Sequence, residues 1–395
     1  MRVAMQGVAK SKTFPWGALP LYLGFFGTGI GVALPGALLP ALQMRWHLQD
    51  EQSGRLFLMA WIGSSLGALL VRRSLRTTLV FGSLGVAVGA AGLALSGGHG
   101  VNALMALYGM GLGATMTSVS LIRQQQTVGS GTEMVRLNLV WAIGACACPS
   151  LTVHALGAGD FGPVLLGLAG CFLALAGAAL AQRELMVLTA GAEVGDAWAI
   201  FRRMPLGLIA MIFLVTGIEA SAGGWLTTYT RRGGHELAEA VAAPTCLWAG
   251  LLLSRLFWSV RDKWLSEAVV VRGSLVLMTA AAVLLVATTH GVAILAAAFL
   301  LGFGIGPTYP LLLGWALRYQ RGGAIFFVAG VGSACLPWMT GLVSAERGSL
   351  RMGLVVPMVG TAVMLLVAMV SPVRSWGGAV PVKTRFGTPL GDNPG

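Results

Sequence analysis

Twelve apolar runs of about twenty residues each dominate the 395-residue chain. They cover 18–43, 54–71, 77–96, 101–121, 137–156, 162–181, 205–228, 239–259, 266–288, 291–316, 323–344 and 351–371. A bilayer core about 30 Å thick takes about 20 apolar residues of helix to cross. The runs are too long, and alternate too little, to be barrel strands. Charged residues are only 10% of the chain, against roughly a quarter in a soluble domain, and most cluster between the runs. This excludes a disordered chain and a water-soluble globule. It leaves an all-α membrane protein of twelve transmembrane helices. The cysteines Cys146, Cys148, Cys171, Cys246 and Cys335 lie inside the runs and read as small core residues rather than a disulfide framework. No signal peptide is expected, because the first run is long enough to span and no small-residue cleavage site precedes a soluble domain.

The basic residues orient the spans. With the N-terminus in the cytoplasm, twenty Lys and Arg fall in cytoplasmic segments. Six fall outside: Arg45, Arg55, Arg231, Arg232, Arg347 and Arg351. This bias fits an even number of spans with both termini inside the cytoplasmic (inner) membrane. The net charge of +12 then faces anionic lipid, which removes the case for nucleic acid as a partner. The longest internal gap, 183–204, is polar and predicts a cytoplasmic linker between an N-terminal six-helix bundle (1–182) and a C-terminal one (205–372). The Gly-, Pro- and charge-bearing segment 373–395 reads as a disordered cytoplasmic tail.

The halves repeat. Run four holds GMGLGAT (Gly109 to Thr115) and run ten GFGIGPT (Gly302 to Thr308). Run five holds GACACP (Gly144 to Pro149) and run eleven GSACLP (Gly332 to Pro337). Thr28-Gly29-Ile30 in run one matches Thr216-Gly217-Ile218 in run seven, and GALLVR (Gly67 to Arg72) matches GLLLSR (Gly250 to Arg255). Four matches in order, each about 190 residues apart, predict two parallel six-helix halves related by an axis along the membrane normal.

Over about 16–372 this organisation resembles the major facilitator superfamily. The family's loop pattern after the second helix, G-x-x-x-D-R/K-x-G-R-R/K, reads here Gly67-Ala-Leu-Leu-Val71-Arg72-Arg73-Ser74-Leu75-Arg76. Val71 replaces the Asp and Ser74 the second Gly. Within the superfamily the chain is most similar to the fucose-permease-like sugar porters. The segments GIEASAGGWLTTY (Gly217 to Tyr229), Leu137-Asn138, Gly306-Pro307-Thr308-Tyr309-Pro310 and Pro337-Trp338 carry this. The resemblance implies the major facilitator fold, a substrate role for Asn138 and an inner-gate role for Arg72, Arg73 and Arg76. The expected function is secondary active transport of a small polar organic solute, of the sugar class, by alternating access with proton symport. Export of a metabolite or drug and a transporter-like sensor are the competing readings.

Glu219 alone among the acidic residues lies well inside an apolar run. A charge there costs at least about 2.5–3.5 kcal/mol unless it finds a partner, water or a proton. It is the candidate proton-coupling and substrate-binding group; the alternative is a structural hydrogen bond to a neighbouring helix with the acid protonated. Trp61, Trp141, Trp248 and Trp315 sit deep in their runs, and two of them are expected to line a cavity, where an indole N–H finds a partner. Trp225 belongs either to an interfacial aromatic belt or to an outer gate. Asn138 binds substrate or makes an interhelical bond. Thr308 and Tyr309 complete the substrate set. Arg123 and Arg255 join the gate residues, with snorkelling to lipid phosphate as the alternative for Arg123. Pro307 and Pro310 are expected to kink run ten. No P-loop, nucleophile elbow or metal-ligand spacing is present in the sequence, so no enzyme activity, cofactor or metal is expected. The expected partners are a small-molecule solute, lipid and protons, with the chain a monomer.

Overall fold

The structure, a computed structural model, describes residues 18–71, 74–127, 131–158, 160–182, 185, 188, 204–260, 265–319 and 324–371. The N-terminal segment, Arg72 and Arg73, most of the expected linker and the tail beyond Ser371 lie outside the described residues. The first half holds α1 (Leu19–Trp46), α2 (Asp50–Leu69), α3 (Leu75–Leu95), α4 (Val101–Gln126), α5 (Gly131–Leu151, continued by Val153–Ala158) and α6 (Gly162–Ala181). The second holds α7 (Leu206–Arg232), α8 (Leu237–Val260), α9 (Glu267–Ala287), α10 (Gly291–Tyr319), α11 (Ala324–Arg347) and α12 (Val355–Val370, led in by Leu350–Gly353). There is no sheet among the described residues. Eleven spans are long and apolar enough to cross a membrane on those grounds alone. The exception is α2, which carries Ser53, Arg55, Ser64 and Ser65 and packs against both α4 and α11.

α2 begins four residues earlier than its apolar run. Gln49 and Gln52 form a reciprocal capping box that satisfies the free backbone donors at the helix start. α5 likewise starts before its run, at Gly131, and breaks at Thr152, whose amide and hydroxyl both bond the Pro149 carbonyl. α10 runs continuously through Pro307 and Pro310.

The repeat in the sequence is a repeat of contacts. α2 packs on α4 as α8 packs on α10, α3 on α4 as α9 on α10, α1 on α5 as α7 on α11, and α3 on α6 as α9 on α12. The repeated glycines make these contacts close. A Cβ at Gly109 would stand 1.9 Å from the Ala60 carbonyl oxygen, and one at Gly302 1.9 Å from that of Leu247. Gly144 meets Phe26 and Gly332 meets Phe213 in the same way, at 2.2 and 2.0 Å. The glycine motifs are thus backbone-to-backbone packing rows inside each bundle.

Three seams join the bundles. α2 lies against α11, α5 against α8, and α1 against α7. The twofold axis exchanges the first two seams and maps the third onto itself. At the end of the molecule where α1 starts and α12 stops, here the basic end, three polar contacts among the described residues each lie inside one bundle. Arg76 donates to the Ala179 and Leu180 carbonyls at the end of α6. Arg123 is paired with Glu133 at 2.6 Å. Trp315 donates its indole N–H to Glu267, which also pairs with Arg318.

The far end is sealed between the bundles. Residues Ala220 to Thr230 of α7 are buried on every face. A Cβ at Gly36 of α1 would lie 2.2 Å from the Gly223 carbonyl oxygen of α7. Beyond that contact, Arg232 grips Asp50 with two nitrogens at 2.6 and 2.7 Å, while Gln43 and Ser344 also bond the same carboxylate. One acid at the outer turn of α2 thereby ties α1, α2, α7 and α11 together.

Burial alone would push the Asp50 carboxyl up, but the hydrogen bonds from Arg232 and Ser344 outweigh it, and the group is held below the usual carboxylate range. Its contribution to closure is therefore complete above the ordinary value and is lost as pH falls through the lower one. Asp50→Asn should loosen this end at neutral pH. A cysteine placed at Thr228 should then react with an impermeant maleimide several-fold faster than in the parent, and an unchanged rate would show that the ion pair does not hold the seal.

Candidate functional site

Between the bundles at mid-depth lies a cavity lined from one side by Gly31, Pro35, Phe57, Trp61, Ser64 and Tyr108. From the other side Ala220, Gly223, Gly224 and Trp248 close it. Two prolines prepare its walls. Pro35 has no N–H for the Gly31 carbonyl one turn earlier, and that oxygen accepts the Tyr108 hydroxyl at 2.6 Å. Pro310 frees the Gly306 carbonyl in the same way, and Arg255 Nε donates to it at 3.4 Å. Pro310 of α10 thus acts on the site through a vacated acceptor.

Adjoining the cavity is a cluster of charged and aromatic groups. Glu219 sits halfway along α7, partly exposed. Arg255 of α8 and Tyr309 of α10 lie within electrostatic reach of it. Among the described residues Glu219 makes no hydrogen bond and no contact ion pair; its separation from Arg255 exceeds contact distance. The guanidinium of Arg255 lies over the Trp141 ring, 5.9 Å from its centroid. Helical side chains tilt toward the helix start, which for α8 is the far end, so Arg255 reaches up into the protein interior. Trp141 of α5 meets Trp248 of α8 edge to face, with centroids 5.8 Å apart. Both rings are almost fully buried, and both indole N–H groups lack a partner. Unsatisfied buried donors are rare and costly. Trp248 lines the cavity, and Trp141 packs directly against it.

Of the expected substrate residues, the structure thus brings together Trp61, Trp141, Glu219, Trp248 and Tyr309. Asn138 precedes Trp141 by three residues on the same side of α5 and is exposed. Thr308 points away: its hydroxyl bonds the Gly304 carbonyl at 2.7 Å and lies against Met278 of α9. Trp225 is wholly buried in the far-end seal. Its indole donates to the Pro337 carbonyl at 3.0 Å and its ring meets Phe57 of the other bundle edge-on. That placement is buried between the bundles and not in a lipid-facing belt. Trp315 is spent on Glu267.

The expected gate residues separate. Arg76 holds the end of α6. Arg123 is 6% exposed and locked to Glu133 and Gln126, with Tyr22 stacked against it, so it does not snorkel to lipid. Arg255 belongs to the cavity cluster. Tyr108, Phe57 and Ser64 were not anticipated from sequence. Only the Pro35–Gly31 offset could have pointed to Tyr108's acceptor.

No family model and no curated protein matches the sequence. Solved structures do match in shape. A single-residue variant of the nucleoside transporter NupG superposes with a TM-score of 0.73 over 89% of this chain and 98% of that one, at 11% identity. The major facilitator superfamily transporter FucP in the outward conformation gives 0.60 over 90% and 98%, at 15% identity. A variant of the E. coli fucose:proton symporter FucP gives 0.58 over 89% and 97%, at 16% identity. Matching contact rows in the two halves, three inter-bundle seams and coverage of nearly the whole length of these structures lead to one conclusion: this is a multi-pass membrane protein with the major facilitator fold.

Proposed function

We propose that the chain is a secondary active transporter that moves a small polar organic solute across the cytoplasmic membrane by alternating access and couples that movement to protons. In this reading the basic end faces the cytoplasm, a placement that the distribution of Lys and Arg supports. Bundles 1–182 and 205–372 rock about the cavity. The structure then represents the state closed to the outside: Gly36 on Gly223, Trp225 on Phe57, and Asp50 with Arg232 form the seal. Opening it and closing the basic end would expose the same groups to the other side.

The observation that carries the proposal is the cluster at mid-depth. A carboxylate without a contact partner, a guanidinium, a phenol and two unsatisfied indole donors converge where two rigid bundles meet. A purely structural acid would be hydrogen-bonded to a neighbouring helix, and among the described residues Glu219 is not. Aromatic faces beside polar groups suit a ring that stacks one face and hydrogen-bonds its rim. The likeness to solved nucleoside and fucose transporters of the same fold supports a solute the size of a sugar or nucleoside.

In proteoliposomes, Glu219→Gln should abolish uphill uptake driven by a proton gradient, by at least roughly tenfold, while exchange of solute across the membrane persists. Uphill uptake with intact pH dependence in that variant would remove Glu219 from the coupling step.

A further inference from the structure

Arg255 has more hydrogen-bonding capacity than its surroundings use. Its guanidinium carries five N–H donors and stays charged at any physiological pH. The structure gives it one long bond, to the Gly306 carbonyl at 3.4 Å, and the face of Trp141. No carboxylate touches it among the described residues. An ion at such depth without a contact counter-charge is expensive. A neutral guest can accept a hydrogen bond from it but leaves the charge uncompensated. The rest of the site leans the same way. Trp141 and Trp248 each add an unpartnered donor, and Tyr309 adds a hydroxyl. Against these donors stands, among the described residues, a single acidic group, Glu219, out of contact range. A site rich in donors selects a guest rich in acceptors, and a planar fork matches two oxygens held in one plane.

We propose that the solute is a small carboxylate of sugar size, such as a sugar acid, held by Arg255 with the indoles of Trp141 and Trp248 completing the contact. The proposal rests on the transporter reading above and narrows its substrate class. It also supplies a reason for coupling. Arg255 from α8 and Tyr309 from α10 are the groups that interact electrostatically with Glu219. Among the described residues, the other elements packed on α7, namely α1, α11 and α12, bring no charged group to it. When no solute is bound, the Glu219 carboxylate is the nearest balance for Arg255. A docked carboxylate takes over that balance, and two anions would then flank one guanidinium. Glu219 relieves this by taking a proton, so one anion and one proton cross together with no net charge.

The test is calorimetric titration of the purified full-length protein with D-gluconate and D-glucuronate, beside D-glucose and uridine, in buffers of different ionisation enthalpy. The acids should bind roughly tenfold or more tightly than the neutral compounds, with uptake of about one proton per solute. Glu219→Gln should keep the preference for acids and lose the proton uptake. Arg255→Gln should lose the preference, and Arg255→Lys, which keeps the charge but not the fork, should retain part of it. Flux and binding confined to glucose or uridine would overturn the carboxylate assignment and leave the transporter standing. Acid binding with no proton uptake by the parent would overturn the shared-guanidinium mechanism. Absence of both binding and flux for all four compounds would count against this assignment and the transporter reading together.

Discussion

Gly36→Leu should stop net transport while leaving the protein folded and inserted. The contact at Gly36 is between backbones of different bundles: a Cβ there meets the Gly223 carbonyl at 2.2 Å and the Gly224 Cα at 2.8 Å. Neither atom can rotate away as a side-chain tip could. The bundles must separate to admit a methyl group, and must separate further for an isobutyl group. Because the clash lies across the seam, packing within each bundle is untouched. We expect at least roughly a tenfold loss of flux, a near-parental melting temperature, and free labelling of a cysteine at Thr228 from the far side. Gly109→Leu is the contrasting variant. Its clash, with the Ala60 carbonyl, is inside the first bundle, so it should lower thermal stability instead. Parental flux in Gly36→Leu would show that the far end need not close this tightly.

Arg123→Leu should be among the most destabilising single changes in the first bundle. Glu133 is 3% exposed and depends on Arg123 at 2.6 Å and the Tyr22 hydroxyl. Removing the guanidinium leaves the buried carboxylate with only the Tyr22 hydroxyl and the exposed, more distant Arg136 at 3.7 Å, at a cost toward the low end of about 3–5 kcal/mol. The double change Arg123→Leu with Glu133→Leu should recover much of that loss, which a thermal melt in detergent would show. The pair also sets a pH response. Burial alone would raise the Glu133 carboxyl, but hydrogen bonds from Tyr22 and Arg123 outweigh it and hold the group below the usual range. Its contribution is then complete above the ordinary carboxylate value and lost as pH falls through the lower native one. A melt that is flat across that acid range would contradict the pairing.

The sequence carried the spans because a lipid solvent leaves few alternatives to a long apolar helix. It also carried the repeat, because close packing needs glycine at fixed places. The mid-span position of Glu219 was legible for the same reason, since an acid there is costly and stands out. What could not be read was the partner of each group. Asp50 and Arg232 are far apart in the chain and each looks like an ordinary loop charge. Arg123 and Glu133 stand ten residues apart on either side of the join between α4 and α5, and nothing in their spacing distinguishes a buried pair from two solvated ends. Thr308 and Tyr309 are neighbours in sequence, yet one helical step of about 100° sends the first to α9 and the second to the cluster with Arg255. Trp225 and Trp141 are the same residue in similar runs. Only the arrangement of α2 and α11 around one, and of α8 beside the other, puts the first in a seal and the second against Trp248 and Arg255.

On the transporter reading proposed above, the unequal ends of the molecule bear on how strongly the two faces of the membrane compete for the carrier. At the basic end the named charges are satisfied within one bundle, so that end parts without unpairing them. The far end must give up the Asp50–Arg232 grip and the glycine contact before anything enters. A solute arriving there meets a receptive form only in the fraction of molecules that have already released that grip, and its apparent dissociation constant is raised by the inverse of that fraction. The same intrinsic pocket would therefore hold its solute more weakly when measured from outside than from within, a sidedness set by a few residues far from the pocket itself.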